Sequence, residues 1–189
     1  NINLVINSGE TLLINGGSGS GKSTFLRTLA GIWPYADGFI YQPENKKKLF
    51  LPQKPYLPLG SLREVLAYPT NHEDYSTEQF NSALNTVGLS RLGSSLDHTN
   101  HWSHELSLGE QQLIAFARIF LHNPDWIFLD EATSALDENR EMQMYEKLYK
   151  LLPNITVISV GHRSTLKSYH NRHINLDENN LVTAEMVEI

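Results

Sequence analysis

Apolar residues occur in short runs and in helical periodicity, which together predict an α/β fold. Runs that are bounded by turn residues predict strands at residues 2–6, 11–15, 38–41, 47–51, 126–130 and 155–160. The last two are almost entirely apolar, which is typical of buried strands in a parallel sheet. The first two, joined by a turn at residues 7–10, predict an antiparallel pair, and residues 173–176 and 181–184 predict a closing hairpin.

Helix signals dominate the middle of the chain. Ser76 with Gln79 and Ser107 with Glu110 each form the Ser-x-x-Glu/Gln pattern of a capping box, so helices are predicted from Ser76 and from Ser107. Strand signals are missing between residues 62 and 120. We therefore predict a core of residues 1–54 and 121–189 that is interrupted by a helical subdomain of residues 55–120.

A further helix is predicted to follow Asp137, because Asp is a favoured N-cap residue and Pro153 ends the pattern. We expect its buried face to contain the apolar residues Met142, Tyr145, Leu148 and Leu152.

Composition limits the possible classes of protein. The chain has 189 residues, of which 40% are hydrophobic, enough for a core in one domain. It contains no cysteine, which excludes disulfides and thiol catalysis, and its sequence shows neither a signal peptide nor the ~20 apolar residues of a membrane span. The net charge of −6 argues against broad nucleic-acid binding. Because Asn1 begins directly at a predicted strand without an initiator Met, we expect the chain to be part of a longer protein.

Residues 16–24 read G-G-S-G-S-G-K-S-T and contain the Walker A pattern Gly-x-x-x-x-Gly-Lys-Ser. A predicted strand precedes this phosphate loop and a predicted helix follows it. Glycines allow successive N–H groups to turn toward an anion, and the helix adds the positive end of its dipole. Lys22 is expected to reach the β- and γ-phosphates of a nucleotide, and the Ser23 hydroxyl to bind Mg²⁺.

Other candidate site residues follow predicted strands. Asp130 and Glu131 end an apolar strand, where Asp130 could hold Mg²⁺ and Glu131 could polarise a water that attacks the γ-phosphate. His162 follows the next apolar strand and could reach the γ-phosphate. Gln53 follows a third strand and is placed to sense a ligand.

Three histidines, His98, His101 and His104, recur at every third position. The residues between them give no helical frame and no fourth ligand is evident, so the pattern does not favour a zinc site.

Taken in order, these motifs resemble those of ATP-binding cassette (ABC) ATPases. They comprise residues 16–24, Gln53, the signature-like Leu-Ser-Leu-Gly-Glu-Gln-Gln at 106–112, residues 126–137 and His162. Gly109 lies 21 residues before Asp130, and His162 lies 31 residues after Glu131. A phosphate loop alone fits many nucleotide-binding proteins, whereas this set fits one family.

The resemblance implies a fold and a set of roles. The fold is a P-loop, RecA-like core with a mostly parallel sheet, an N-terminal antiparallel β piece and a helical subdomain. ATP with Mg²⁺ would lie between two copies arranged head to tail, as a homodimer. Ser23, Gln53 and Asp130 would hold the metal, Glu131 would be the base, and His162 would steady the γ-phosphate, with Gln53 also in the catalytic set. The phosphates would be contacted by Gly16, Gly17, Ser18, Gly19, Ser20, Gly21, Lys22, Ser23 and Thr24.

The opposite copy would supply the signature residues Ser107, Leu108, Gly109 and Glu110, and Asp137 would communicate across the dimer. Residues 51–62 and 106–112 are most similar to the branch of peroxisomal fatty-acyl transporters and related bacterial inner-membrane proteins. This branch implies a transmembrane domain in the same longer polypeptide, docked near residues 53–62 and Trp102, and a place on the cytoplasmic face of a membrane.

The sequence departs from the family pattern in three respects. Leu108 and Glu110 replace residues of the commoner Leu-Ser-Gly-Gly-Gln signature, and Leu113 stands where Arg is usual. The aromatic residue that stacks on adenine would lie before the phosphate loop, where only 15 residues precede Gly16.

Two alternatives to a transport ATPase stay open at this point. One is a non-transport ABC ATPase that acts on DNA or the ribosome, although the coiled-coil, zinc or basic insertions of such proteins are not evident. The other is a regulatory module that binds ATP without hydrolysing it, which the presence of Glu131 and His162 disfavours.

Overall fold

The computed structural model describes residues 2–42, 44–176 and 182–186. Within them are eight strands: β1 Thr11–Asn15, β2 Lys48–Leu51, β3 Gly60–Ser61, β4 Thr99–Asn100, β5 Trp126–Asp130, β6 Thr156–Val160, β7 Arg172–Leu176 and β8 Val182–Met186. The same residues form six α-helices: α1 Lys22–Leu29, α2 Leu62–Ala67, α3 Thr77–Thr86, α4 Trp102–Glu105, α5 Leu108–His122 and α6 Glu138–Leu151.

The larger sheet has the strand order β2-β5-β6-β1-β7-β8. Strands β5, β6, β1 and β7 are parallel to one another, and β8 pairs antiparallel with β7. Asp130 pairs with Val160, and Ile14 also pairs with Val160 from the other side. The carboxyl ends of β1, β5 and β6 therefore lie together, which places the residues that follow these three strands at one edge of the sheet.

Burial explains why the apolar runs form the centre of this sheet. Every residue of β5 and β6 is buried, as expected for strands covered on both faces. Leu12 and Ile14 of β1, together with Phe128 and Ile158, belong to the same hydrophobic cluster as Leu26 of α1. Helix α1 is thereby packed onto the sheet, and its first residue, Lys22, belongs to the phosphate loop.

By contacts, the described residues divide into two compact units. The first lies within Asn1–Phe50, Pro124–Glu131 and Pro153–Ile189, and the second within Leu51–Asn123 and Ala132–Leu152. This division differs from the one expected from sequence, because α6 groups with the helical unit and not with the unit that contains the large sheet.

The helical unit is built around α5, in which ten of fifteen residues are buried. The capping boxes expected at Ser76 and Ser107 are both formed, and Ser61 forms a third at the start of α2. Leu113 is 0% exposed. An Arg at this position would need a buried partner for its charge, so an apolar residue suits this core.

Two predicted strands are wrong. Residues 2–7 form no strand and Thr11 begins the first one, while residues 38–41 also lack strand structure. An alternating pattern gives a segment one apolar face, but a strand also needs a neighbour to complete its hydrogen bonds. Ile2, Leu4 and Ile6 instead pack against the core cluster without a ladder, and Phe39 is 90% exposed.

The predicted buried face of α6 is also partly wrong. Met142 is 37% exposed, whereas Met144 and the carboxylate residue Glu141 are each 1% exposed. Buried positions 141, 144, 145 and 148 follow the i, i+3, i+4, i+7 spacing of one helix face. Glu141 can occupy this face because its Oε1 accepts a hydrogen bond from the Thr133 hydroxyl at 2.5 Å.

The closing hairpin is confirmed as the antiparallel pair β7–β8. Residues 177–181, which comprise the connection between the two predicted strands and the first residue of the second, lie outside the described residues.

Candidate active site

The phosphate loop connects β1 to α1 as predicted. Backbone conformation and close contacts explain why glycine occupies two of its positions. Gly16 has φ +148°, and a Cβ at this position would lie 2.2 Å from the carbonyl oxygen of Leu176. Gly21 has φ +89° and is the N-cap residue of α1. In the described part of the chain, no side chain caps this helix, so the N–H groups of its first turn point toward the loop without a side-chain acceptor.

Lys22 lies inside its own loop. The residue is 6% exposed, and its Nζ donates hydrogen bonds to the carbonyl oxygens of Gly16 at 3.0 Å and Gly17 at 2.6 Å. Both acceptors are neutral. A phosphate oxygen would form a stronger, charge-assisted bond to the same ammonium group. The loop carbonyls therefore keep the lysine side chain close to the position in which it could bind a phosphate.

Ser23 and Asp130 come together at the carboxyl end of β5. The Ser23 hydroxyl donates to Oδ1 of Asp130 at 2.6 Å, and the carboxylate is only 3% exposed. Oδ2 accepts a bond from Arg27 at 3.1 Å, an ion pair that the sequence did not reveal. Arg27 lies one helical turn after Ser23, and this i, i+4 spacing is the signal that could have identified it.

This pair of oxygen ligands fits a magnesium ion. Mg²⁺ prefers oxygen ligands and commonly takes one or two protein groups together with substrate phosphates. A hydroxyl and a carboxylate are adjacent here, next to the start of the helix that carries the phosphate loop.

Glu131 and His162 meet at the edge formed by β5 and β6. Nε2 of His162 lies 3.0 Å from Oε1 of Glu131, and the side chains are 52% and 24% exposed. The Glu131 N–H bonds to the carbonyl of Val160 at 3.0 Å, which fixes the backbone where β5 ends. Glu131 has φ +51°, an unusual conformation for a residue with a side chain, and such strain is characteristic of functional positions.

A cavity of about 430 Å³ borders this edge. It is lined by Gly16 at the start of the phosphate loop and by Gly161 and His162 after β6. The structure thus brings the phosphate loop and His162 to one open space within the first unit.

The signature residues lie at the N-terminus of α5 in the helical unit. Ser107 Oγ accepts the N–H of Glu110 at 3.3 Å, and the Glu110 carboxylate accepts the Ser107 N–H at 2.9 Å. Glu110 also forms an ion pair with Arg91. Burial acts to raise the pKa of Glu110, but the hydrogen bonds from Ser107 and Arg91 outweigh it and leave that pKa below its usual value.

Close packing explains the glycine of the signature. A Cβ on Gly109 would lie 3.2 Å from the carbonyl oxygen of Ala135, and Leu108 is 42% exposed beside it. Asp137 caps α6 as predicted, because its Oδ1 accepts the N–H of Arg140 at 2.9 Å. Both motifs therefore belong to the helical unit.

Gln53 also belongs to this unit and is exposed. Its carbonyl oxygen accepts a hydrogen bond from the buried side chain of Gln112 at 2.8 Å. No role was predicted for Gln112 from the sequence. A glutamine at a buried position of an apolar helix is the signal that could have identified it.

The three regularly spaced histidines form no common centre. His101 and His104 stack with their ring centroids 5.5 Å apart. Across residues 2–42, 44–176 and 182–186, no group of three or more His, Cys, Asp or Glu side chains is placed to hold a metal ion.

The fold and site define a phosphate-loop nucleotide-binding protein of the α/β class. The family model described as "ABC transporter" matches residues 1–134, and the chain belongs to this family. Among the described residues, none of the helices combines the length and apolar character needed to cross a bilayer.

Relatives and a solved structure agree with the family. The chain is 49% identical over 177 residues to an uncharacterised ABC transporter ATP-binding protein of Haemophilus influenzae, covering 94% of this chain and 30% of that protein. It is 34% identical to human ATP-binding cassette sub-family D member 3, covering 93% of this chain and 28% of that protein. The structure of a bacterial Atm1-family ABC exporter with ATP bound is similar with a TM-score of 0.82 and 26% identity, covering 95% of this chain and 34% of that one.

The chain thus spans less than a third of the length of these curated relatives. Similarity to ABC transporter D family members agrees with the branch inferred from residues 51–62 and 106–112. These relatives are described as transporters, and they give no support to the non-transport alternatives.

Proposed function

We propose that this chain is the ATP-binding and ATP-hydrolysing domain of an ABC transporter, in which conversion of ATP and water to ADP and phosphate drives transport. The observation that carries the proposal is the pair Glu131–His162 next to the bonded pair Ser23–Asp130, at the edge of the sheet where the phosphate loop begins. This arrangement supplies a carboxylate base, a metal site and a phosphate site within one unit.

In this proposal the phosphate loop binds the nucleotide through its backbone N–H groups and the N-terminus of α1. Lys22 exchanges its bonds to Gly16 and Gly17 for bonds to the β- and γ-phosphates. The contacting residues are Gly16, Gly17, Ser18, Gly19, Ser20, Gly21, Lys22, Ser23 and Thr24.

Magnesium that is bound with ATP neutralises charge on the phosphates. Ser23 and Asp130 would hold it, and Arg27 would orient the Asp130 carboxylate. Gln53 is assigned to the same metal, and to the catalytic set, by its resemblance to the family motif.

Glu131 is proposed to accept a proton from the attacking water, and His162 to steady the γ-phosphate. The 3.0 Å contact between the two side chains would orient the carboxylate at the end of β5. A positioned general base contributes about 10²–10⁴-fold to a reaction of this type.

The remaining assignments concern partners. Ser107, Leu108, Gly109 and Glu110 would meet the ATP of a second copy in a head-to-tail homodimer, with Asp137 at the contact. A transmembrane domain of the same polypeptide would place this domain on the cytoplasmic face of a membrane, and nucleic acid is not expected as a partner. Residues 1–54 and 121–189 would act as the ATPase core, and residues 55–120 as the signature subdomain.

The substitution Glu131→Gln tests the base assignment. We expect the rate of phosphate release to fall about 100-fold or more, because the amide cannot accept the proton, whereas ATP affinity and ATP-dependent dimerisation persist. Calorimetry measures binding, and light scattering measures dimerisation.

Glu146→Gln, which changes an exposed carboxylate of α6, is the matched control and should leave turnover unchanged. Undiminished turnover in Glu131→Gln would refute the assignment. Lys22→Ala should instead weaken ATP binding itself.

A further inference from the structure

The side chain of Gln112 on α5 joins two segments that are far apart in the chain. It is 0% exposed, and its Nε2 donates to the carbonyl oxygen of Gln53 at 2.8 Å and lies 3.3 Å from Oγ of Ser134. Its Oε1 accepts the N–H of Ala135 at 2.9 Å. One buried amide therefore connects the Gln53 segment with the turn at residues 133–136, which directly precedes Asp137.

The orientation of this amide is fixed by its partners. The carbonyl of Gln53 can only accept, and the N–H of Ala135 can only donate. Reversing the amide would set two donors against each other on one side and two acceptors on the other. The position thus requires a side chain that donates in one direction and accepts in the other, which Leu cannot do and Glu does only in part.

Two other polar side chains of α5 form hydrogen bonds that differ from those of Gln112, because neither joins the Gln53 segment to the turn at residues 133–136. Gln111, which is 6% exposed, donates to the carbonyl oxygens of Ser103 and Leu106, both within nine residues of it in the chain. Arg118 donates to the carbonyl of Tyr56 at 2.8 Å, so α5 holds the segment after Gln53 by a second, independent bond. Loss of the Gln112 bridge would therefore leave this segment attached to the helix.

We propose that Gln112 is a positioning residue that couples the Gln53 segment to the Ser134–Ala135 turn, so that a displacement of one displaces the other. Separation of these groups is unfavourable, because the Gln112 amide, which is 0% exposed, would be left buried without its hydrogen-bond partners. The inference rests on the proposed function, in which Gln53 senses the bound nucleotide and Asp137 faces a second copy. Gln112 would then transmit nucleotide occupancy to the dimer contact.

A double-mutant cycle in the full-length protein tests the coupling. The effects of Gln53→Ala and Asp137→Ala on the ATP hydrolysis rate are measured singly and together, in the wild-type, Gln112→Leu and Gln111→Leu backgrounds. In the wild-type background we expect the two effects to be non-additive by about fivefold or more. In Gln112→Leu they should become additive to within about twofold, and in the matched control Gln111→Leu the non-additivity should persist.

A second measurement does not depend on turnover. Hydrogen exchange of residues 132–137 should slow when ATP and Mg²⁺ are added to wild type and to Gln111→Leu, but not when they are added to Gln112→Leu. If Gln112→Leu does not fold, Gln112→Glu replaces it with the same expected results, since it lacks the donor to Gln53.

The outcomes separate the two proposals. Non-additivity that survives in the Gln112 variant, in a protein that hydrolyses ATP, overturns the coupling alone. A wild-type protein that neither binds nor hydrolyses ATP overturns the proposed function and the coupling with it.

Discussion

Acidification from pH 7 to pH 4 is expected to destabilise this protein, because the buried ring of His170 resists protonation in the folded state. His170 lies eight residues after His162 in the chain. The ring is 0% exposed. Nδ1 lies 2.7 Å from the carbonyl of Leu166, so it carries the hydrogen, and Nε2 accepts from the Ser159 hydroxyl at 2.8 Å. These bonds tie the 3₁₀ turn Ser164–Tyr169 to β6, and protonation of Nε2 would oppose the second of them.

Burial lowers the pKa of His170 from its ordinary 6.5 to about 4. The bond to Leu166 opposes this shift, and the nearby His173 adds to it. Because the unfolded chain binds a proton at higher pH than the folded one, stability is complete above about pH 6.5 and is lost as the pH falls toward 4. The difference between the two pKa values corresponds to about 3 kcal/mol, of which about 2 kcal/mol is already lost at pH 5.

Urea denaturation at a series of pH values between 7 and 4 measures this loss. The variant His170→Gln keeps a donor and an acceptor but does not titrate in this range. It should be less stable than wild type at pH 7, by about 1–3 kcal/mol for imperfect replacement of buried bonds, and its stability should depend less steeply on pH. His98→Gln, which changes an exposed histidine, controls for the loss of one titratable ring.

The informative quantity is the difference in slope between wild type and His170→Gln. Equal slopes between pH 6.5 and 4 would refute the reasoning, because they would mean that the buried ring does not resist protonation in the folded protein.

The other predictions concern the phosphate loop and the metal site. Gly16→Ala should abolish ATP binding and lower the free energy of unfolding by about 1–3 kcal/mol, because its Cβ would collide with the Leu176 carbonyl. Gly17→Ala, whose Cβ meets nothing within 4 Å, is the control for stability, and equal free energies of unfolding for the two variants would contradict the argument. Arg27→Leu should lower the free energy of unfolding in urea denaturation by about 1–2 kcal/mol, because the buried Asp130 carboxylate loses one of its partners, and Arg27→Lys should lower it less. Equal stability of Arg27→Leu and wild type would show that the ion pair contributes nothing.

Local patterns in the sequence predicted most of the elements that form the candidate site. The phosphate loop lies between β1 and α1 as expected, and the capping boxes at Ser76 and Ser107 are formed. Each depends on residues within a few positions of one another, so the sequence carries the required information.

Predictions that required a partner elsewhere in the chain were less successful. Residues 2–6 and 38–41 have strand-like patterns but form no strand, because the pattern does not specify a hydrogen-bonding neighbour. Met142 was expected in the core, yet Glu141 is buried instead through its bond to Thr133. A carboxylate is an unlikely core residue until its partner is known.

The sequence by itself indicated the kind of chemistry, because a glycine-rich loop with Lys22 and an acidic pair after an apolar strand predict phosphate and metal binding through local residue types. Only the tertiary structure decided how these groups are held. Parallel pairing of β5 with β6 brings Glu131 to His162, and folding of α1 onto the sheet brings Arg27 to Asp130. Such contacts join residues tens of positions apart, and their distances follow from strand order and packing, which no short stretch of sequence encodes.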